Sequence, residues 1–349
     1  AKVQADGNIN VHMEAEIAEV EGFVGNFQTK LSNGTEFQHG AAIIATGASE
    51  LKPQEYLYGQ DQRVLTSLGM DALLKKDDPG LKEAETFVFI QCVGSREPER
   101  PYCSKVCCTH SVLTALELKE RNPEANIFIL YRDMRTFAQR EDLYKEARAK
   151  GVLFVRYDLD GKPKVQANGP DLEVIVYDSI LGREISIRTD YLTLAAAITS
   201  NRETELAQMF KVPMDDDGWF LEAHQKLRPV DFAVDGVFMA GMAHYPKDIA
   251  ESVAQAEAAA SRAMTVITSS EFQVGGIVAE INQTRCTGCN VCVLVCPFKA
   301  IELDENSKAV VNPALCKGCG NCVASCRSGA PTLKGFTNAG IFAQISAYL

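Results

Sequence analysis

The residues best able to do chemistry in this chain of 349 are its twelve cysteines, because their spacing restricts what they can bind. Cys286-Thr-Gly-Cys289-Asn-Val-Cys292-Val-Leu-Val-Cys296-Pro297 is a C-x2-C-x2-C-x3-C-P run, and its cysteine spacing returns 30 residues later at Cys316, Cys319, Cys322 and Cys326. Such spacing brings three thiolates to one iron-sulfur cubane, while the fourth cysteine reaches the neighbouring one. One 4Fe-4S cluster is therefore expected on Cys286, Cys289, Cys292 and Cys326, and a second on Cys316, Cys319, Cys322 and Cys296. Zinc sites do not use this doubled, crossed pattern. Arg327 stands where a second proline would fall, a departure that leaves ligation undisturbed. Paired clusters have no direct use in acid-base or nucleophilic chemistry; they move single electrons.

The other four cysteines lie in one loop: Cys92, Cys103, Cys107 and Cys108. Core packing is a poor reading amid Arg, Glu, Pro and Lys. Structural zinc favours paired CxxC spacing, absent here, and the adjacent Cys107-Cys108 pair suits no strain-free disulfide. A metal centre is the better reading, with iron-sulfur ahead of zinc. An even cysteine count could also signal six disulfides in a secreted scaffold, but staples would be spread over the fold, and these are clustered.

Composition narrows the classes further. With 46% hydrophobic residues the chain can bury a sizeable core, and its length suggests two or three domains. A formal charge of -11 argues against nucleic acid or anionic membrane as a main partner. No apolar stretch approaches the roughly 20 residues of a membrane span, and no signal peptide opens the sequence, so a cytoplasmic protein without a transmembrane segment is expected.

The elements that must position these cysteines can be read from periodicity. Residues 8 to 31 alternate apolar and polar and end in the turn Ser32-Asn33-Gly34, the pattern of a β-meander. Ala41 to Ala48 is a short buried strand closing in small residues. Its Ala45-Thr46-Gly47 turn suits close approach of backbone to FAD in two-dinucleotide-binding flavoproteins, and equally suits an ordinary strand-to-loop turn. The GxGxxG segment that would come first in such a protein is missing. Further on, strand runs at 86–91, 126–131 and 152–156 alternate with helical runs at 112–121 and 141–150, the βαβ order of a doubly wound sheet. In a pyridine-nucleotide domain the loop after the first strand would be glycine-rich, so that phosphate sits on the next helix. Here that loop is the one from Cys92 to Cys108, with a lone Gly94, and no NAD(P)H is expected to bind. Residues 269–276 read as a linker, and 301–311 as the hairpin between the two cysteine motifs.

With all twelve cysteines placed, the chain resembles the A subunit of heterodisulfide reductase, the flavin subunit of electron-bifurcating complexes of methanogens and anaerobic bacteria. The resemblance rests on Gly22-Phe-Val-Gly-Asn-Phe27, Gln91-Cys-Val-Gly-Ser-Arg96, Tyr102-Cys-Ser-Lys-Val-Cys-Cys108 and Tyr131-Arg-Asp-Met-Arg135. It continues through residues 220–229, Gly241-Met-Ala-His-Tyr-Pro-Lys-Asp-Ile249, the two cysteine motifs, Gly335-Phe-Thr337 and Ile341-Phe-Ala-Gln344. It implies an α/β, thioredoxin-reductase-like two-dinucleotide-binding flavoprotein fold with its first half truncated, plus a C-terminal α+β bacterial ferredoxin domain with two 4Fe-4S clusters. Residues 1–84 would be the remainder of the first FAD-binding half with the β-meander, and 85–200 a degenerate NAD(P)H-type βαβ domain carrying a 4Fe-4S cluster. Residues 201–268 would be the returning FAD-binding segment and 269–349 the two-cluster ferredoxin domain.

The same resemblance implies a third 4Fe-4S cluster on Cys92, Cys103, Cys107 and Cys108, and FAD contacts at Ala45, Thr46, Gly47, Ala48, Gly241, Lys247, Asp248 and Ile249. The helix after Asp248 would aim its N-terminal amides at the flavin, while Asp248 also serves as its N-cap. FAD would be completed by polypeptide upstream of residue 1. Many relatives carry a lysine shortly after the paired cysteines, where this chain reads Thr109-His-Ser-Val-Leu113. The function implied is an oxidoreductase subunit moving electrons between FAD and clusters in flavin-based bifurcation or confurcation. The alternative is a non-bifurcating wiring module of a quinone-linked or acyl-CoA-reducing complex. Implied partners are B- and C-like subunits of such a complex, a hydrogenase or formate-dehydrogenase-type donor module, and ferredoxin, assembled as a dimer of complexes.

Overall fold

In the computed structural model, residues 1, 270, 272–276 and 314 are left aside, and the description covers all others. Strands β1 (Ile17–Phe23), β2 (Asn26–Leu31) and β3 (Glu36–His39) form an antiparallel meander. In β2, Phe27, Thr29 and Leu31 are buried and the residues between them exposed, the period-two signature of a half-buried strand. The stretch from Asn8 to Glu14 alternates too, yet it forms no strand. Ile9, Val11 and Met13 are all exposed there, so no apolar face rewards pairing.

β4 (Ala42–Ile44), β5 (Ala48–Glu50) and β6 (Val64–Thr66) come next, followed by β7 (Thr86–Val93), β8 (Asn126–Tyr131) and β9 (Leu153–Arg156). β10 (Lys164–Asn168), β11 (Asp171–Asp178) and β12 (Arg183–Thr189) make an antiparallel sheet, and β13 (Tyr191–Ala196), β14 (Ile198–Ser200) and β15 (Val237–Met239) complete the body. The central sheet has the order β6-β13-β7-β8-β9, and every pairing in it is parallel. β6, which leads into the helix Ser67–Lys75, therefore shares one sheet with β7, β8 and β9. A parallel sheet must be covered on both faces, and β7, Thr-Phe-Val-Phe-Ile-Gln-Cys-Val, is buried along nearly its whole length. Phe87 and Phe89 meet Val112, Ala115 and Leu118 of the helix Cys107–Arg121 on one side. Val88 and Ile90 meet Leu172, Val174 and Val176 of the antiparallel sheet on the other. The helix starts at Cys107, ahead of the run read from periodicity, because its first turn is cysteine-bearing and breaks the apolar pattern.

β15 pairs in parallel with β4, which sets the 45–48 turn beside the segment that begins at Gly241. The helix Ile249–Ile267 then leads out of the body. Most of the 269–276 linker lies outside the described residues. In the C-terminal module β16 (Ala279–Ile281) pairs with β19 (Pro331–Leu333), and β17 (Ile301–Leu303) with β18 (Ala309–Val311) in the hairpin that joins Ile301 to Val311. Its core is small, and the cysteines themselves pack in it. Among the described residues no helix is long and apolar enough to cross a membrane.

Candidate metal centres and an adjoining cleft

All twelve cysteines are free thiols, and the fold gathers them in sets. In the C-terminal module one cavity of about 340 Å³ is lined by Cys286, Cys289, Cys292 and Cys326. A second, of about 320 Å³, is lined by Cys296, Cys316, Cys319 and Cys322. The crossed sets thus face common spaces, Cys326 and Cys296 each having been carried past a short helix, Asn321–Ser325 or Val291–Leu294, to the other motif. Glycines make the turns possible. Gly288 and Gly318 occupy equivalent places, both with positive φ, and a Cβ would lie 2.3 Å from Ser307 O in one case and 2.6 Å from Ile277 O in the other.

The donor set suits a guest carrying sulfide and positive charge. Backbone amides point at three sulfurs: Ala309 N to Cys286 Sγ at 3.4 Å, Ala300 N to Cys296 Sγ at 3.3 Å and Ala279 N to Cys316 Sγ at 3.4 Å. Amides bonded to cluster sulfurs are one of the levers that set cluster potential. Burial pushes the Cys292 and Cys322 thiols up, whereas the Ser328 hydroxyl, 3.3 Å away, holds Cys326 below the usual thiol range. Among the described residues no three His, Cys, Asp or Glu side chains are spaced to hold a single metal ion. One zinc ion would need its sulfurs about 2.3 Å from a common point.

The third set is built by the loop after β7. Cys92 is buried at the strand end with φ of 61°, and positive φ recurs at Gly94, Arg96 and Lys105, so the chain coils back on itself. Arg96 N bonds to Tyr102 O at 3.0 Å, and Ser95 Oγ donates to the same carbonyl at 2.8 Å. Beneath the loop the buried Arg132 guanidinium donates to Arg96 O at 2.9 Å, to Cys92 O at 3.3 Å and to Ser95 O. Cys107 is pushed far above the ordinary thiol range by burial, and further by the neighbouring Cys108, Cys92 and Cys103 thiols. Burial likewise lifts Cys108 to about 11. Thiols that resist ionising on their own, as Cys107 and Cys108 do, are the arrangement a bound cation would reverse, since metal ligation requires thiolates and displaces their protons.

Cys107 also lines an open cleft of about 1570 Å³. Of the residues expected to contact a flavin, Ala48, Lys247, Asp248 and Ile249 line this cleft. Ala45 and Thr46 instead face a cavity of about 670 Å³ on the other side of β4, with Ile43 and Phe210. Gly47 lies in the turn between them with φ of 74°, and Gly241 O accepts from Lys247 Nζ at 2.7 Å. Burial depresses Lys247 to about 8, the Lys105 charge adding to this while Glu251 opposes it. Asp248 caps the helix Ile249–Ile267 in a full capping box with Glu251 and is ion-paired to Arg140. Sequence reasoning missed Arg140 and the pair His110 Nε2–Asp71 Oδ1 at 2.9 Å. His110 and Thr109 do line the cleft. Only their place just after the cysteine pair could have flagged them.

The family described as a 4Fe-4S dicluster domain matches residues 285–330. An iron-sulfur A subunit of the CoB--CoM heterodisulfide reductase of Methanopyrus kandleri, the one numbered 2, is 38% identical over 296 residues, 79% of this chain and 44% of that protein. The corresponding iron-sulfur A subunit of Methanocaldococcus jannaschii is 36% identical over 333 residues, 89% of this chain and 50% of that protein. Among solved structures, the thioredoxin reductase of T. acidophilum covers 73% of this chain and 74% of its own with a TM-score of 0.47 at 15% identity. The body is an α/β fold built on a five-stranded parallel sheet, joined to a module that matches a 4Fe-4S dicluster domain. In sequence the chain is like the A subunits of heterodisulfide reductase. It spans about half the length of the curated relatives it matches.

Proposed function

We propose that this chain is the electron-transfer part of a heterodisulfide-reductase-type complex, holding three 4Fe-4S clusters and passing electrons between them and FAD. The observation that carries the reading is that Cys107 belongs both to the thiol set of the β7 loop and to the wall of the large cleft. A cluster held there shares a wall with anything bound in the cleft, the proximity that single-electron exchange requires. The cleft fits the flavin end of FAD: it is flanked by the N-terminal amides of the helix Ile249–Ile267, by Arg140 and by the half-buried Lys247. FAD supplies two-electron chemistry when bound. The chain's own groups position it and offer cations and amides to its oxygens.

The clusters are assigned to Cys92, Cys103, Cys107 and Cys108, to Cys286, Cys289, Cys292 and Cys326, and to Cys316, Cys319, Cys322 and Cys296. The pyrophosphate and adenosine of FAD need a first dinucleotide-binding half that residues 1–349 do not supply, and NAD(P)H is not used. The relative from Methanococcus maripaludis is named for an H(2)/formate:CoB-CoM heterodisulfide,ferredoxin reductase, of which it is the A subunit. By analogy the partners here are B- and C-like subunits, a hydrogenase or formate-dehydrogenase-type module and ferredoxin, in a cytoplasmic dimer of complexes that bifurcates electrons. Iron and acid-labile sulfide assayed on anaerobically prepared chain test the core of this: about twelve of each are expected, four per cluster. Cys107→Ala should lower both to about eight and leave the two module centres in place. A stable loading near eight in the unsubstituted chain would mean that the β7 loop holds no cluster.

A further inference from the structure

The C-terminal module sits against the body along a seam, and only one of its two cysteine cavities adjoins that seam. A crevice of about 490 Å³ runs there between β1–β2 of the body and the module residues Phe298, Leu315 and Lys317. Phe298 and Lys317 also line the cavity of Cys296, Cys316, Cys319 and Cys322, so they form the partition between seam and cluster site. Among the described residues none around the Cys286 cavity lines the seam. Lys317 lies inside the Cys316–Cys319 loop, and its Nζ donates to Asp235 Oδ2 of the body at 2.6 Å. Asp235 is held in turn. Arg228 lies 3.6 Å from its other oxygen, and Gly236 takes φ of 79° against Val24, where a Cβ would come within 2.9 Å. On the same seam Lys211 stands at the C-cap of the helix Thr204–Phe210.

We propose that Asp235 is a docking residue whose pairing with Lys317 fixes the module on the body with its Cys296/Cys316/Cys319/Cys322 end inward. That cluster is then the one that exchanges electrons with the body, and the Cys286/Cys289/Cys292/Cys326 cluster is the one presented to an external protein. The electrical part rests on the cluster assignment proposed above; the docking part does not.

The test uses the full anaerobic chain with Asp235→Asn, Lys317→Gln and the double variant. Each single change should increase the radius of gyration in small-angle scattering and speed amide exchange in residues 209–211 by about five-fold, the loss expected for one half-buried ion pair. The double variant should be no worse than either single one, because both remove the same interaction. Additive effects, or no effect on scattering and exchange, overturn the docking role. In a redox titration followed by EPR, Asp235→Asn should move the midpoint of one module centre only, the one whose signal Cys316→Ser abolishes. A shift of the other centre, or an equal shift of both, overturns the inward assignment. Iron assayed on the same samples separates the two readings: a module without iron refutes the cluster assignment, while scattering and exchange still decide docking.

Discussion

Replacing Arg132 by Met should dismantle the β7-loop centre while sparing the ferredoxin module. Arg132 is only 8% exposed and donates to three carbonyls, those of Cys92, Ser95 and Arg96. Methionine keeps the apolar stem and removes every donor. The bond to Ser95 O is buried, and that acceptor left without a partner costs roughly 1 to 3 kcal/mol, whereas Cys92 O keeps its bond from Ser95 N at 3.2 Å. Electrostatics act in the same direction. Among the described residues no carboxylate is ion-paired with Arg132, whose guanidinium lies under the carbonyls of the cysteine-bearing loop. A cation removed from beside a cluster makes its reduced form harder to reach. The expected outcome is iron falling from about twelve toward about eight per chain, with a lower midpoint for whatever β7-loop centre remains. Lys at this position should restore part of the loading, having a charge but no fork to span three carbonyls. An Arg132→Met chain with full iron, an unshifted midpoint and an unchanged melting transition would refute the reasoning.

Lys247 is depressed from 10.5 to about 8 by burial, so between these values the unfolded chain holds a proton that the folded chain has released; this group's contribution to stability therefore rises with pH across that window, and Lys247→Met should flatten the rise in denaturant titrations of the flavin-free chain. Millimolar NADH or NADPH should neither bind tightly nor reduce the clusters directly, because the loop before the helix Cys107–Arg121 carries a lone Gly94 and lacks the glycines that let a pyrophosphate approach a helix N-terminus; bleaching of the clusters by NADH alone, read in the visible spectrum, would count against this. FAD added to residues 1–349 should wash out on desalting and be retained once a polypeptide with a first dinucleotide-binding half is supplied, since the missing charge-assisted phosphate bonds are each worth roughly 1.5 to 3 kcal/mol; stoichiometric retention without it would show a complete site in this chain.

What could be read from sequence divides along a physical line. The ferredoxin motifs were legible because ligation demands fixed local spacing, and the hairpin from Ile301 to Val311 falls in the register that the 30-residue repeat of the motifs requires. β7 and β8 were legible because largely buried strands are written as near-continuous apolar runs, and the edge strand β9 because it follows them in the βαβ order. β10, β11 and β12 were not read at all. Their exposed positions carry Lys, Gln, Glu and Arg, and the face that covers Val88 and Ile90 is supplied mainly by β11, so single strands show little signal until the sheet is assembled. The cleft shows the same limit at the level of a site. Lys247, Asp248 and Ile249 could be named because they sit in one continuous motif, whereas Arg140 reaches Asp248 across 108 residues and His110 meets Asp71 across 39. Neither pair has a spacing to recognise, because each exists only after the parallel sheet has brought separate crossovers to the same edge. The Asp235–Lys317 contact spans 82 residues and joins two folding units, which places it beyond any local pattern and leaves geometry as the means of finding it.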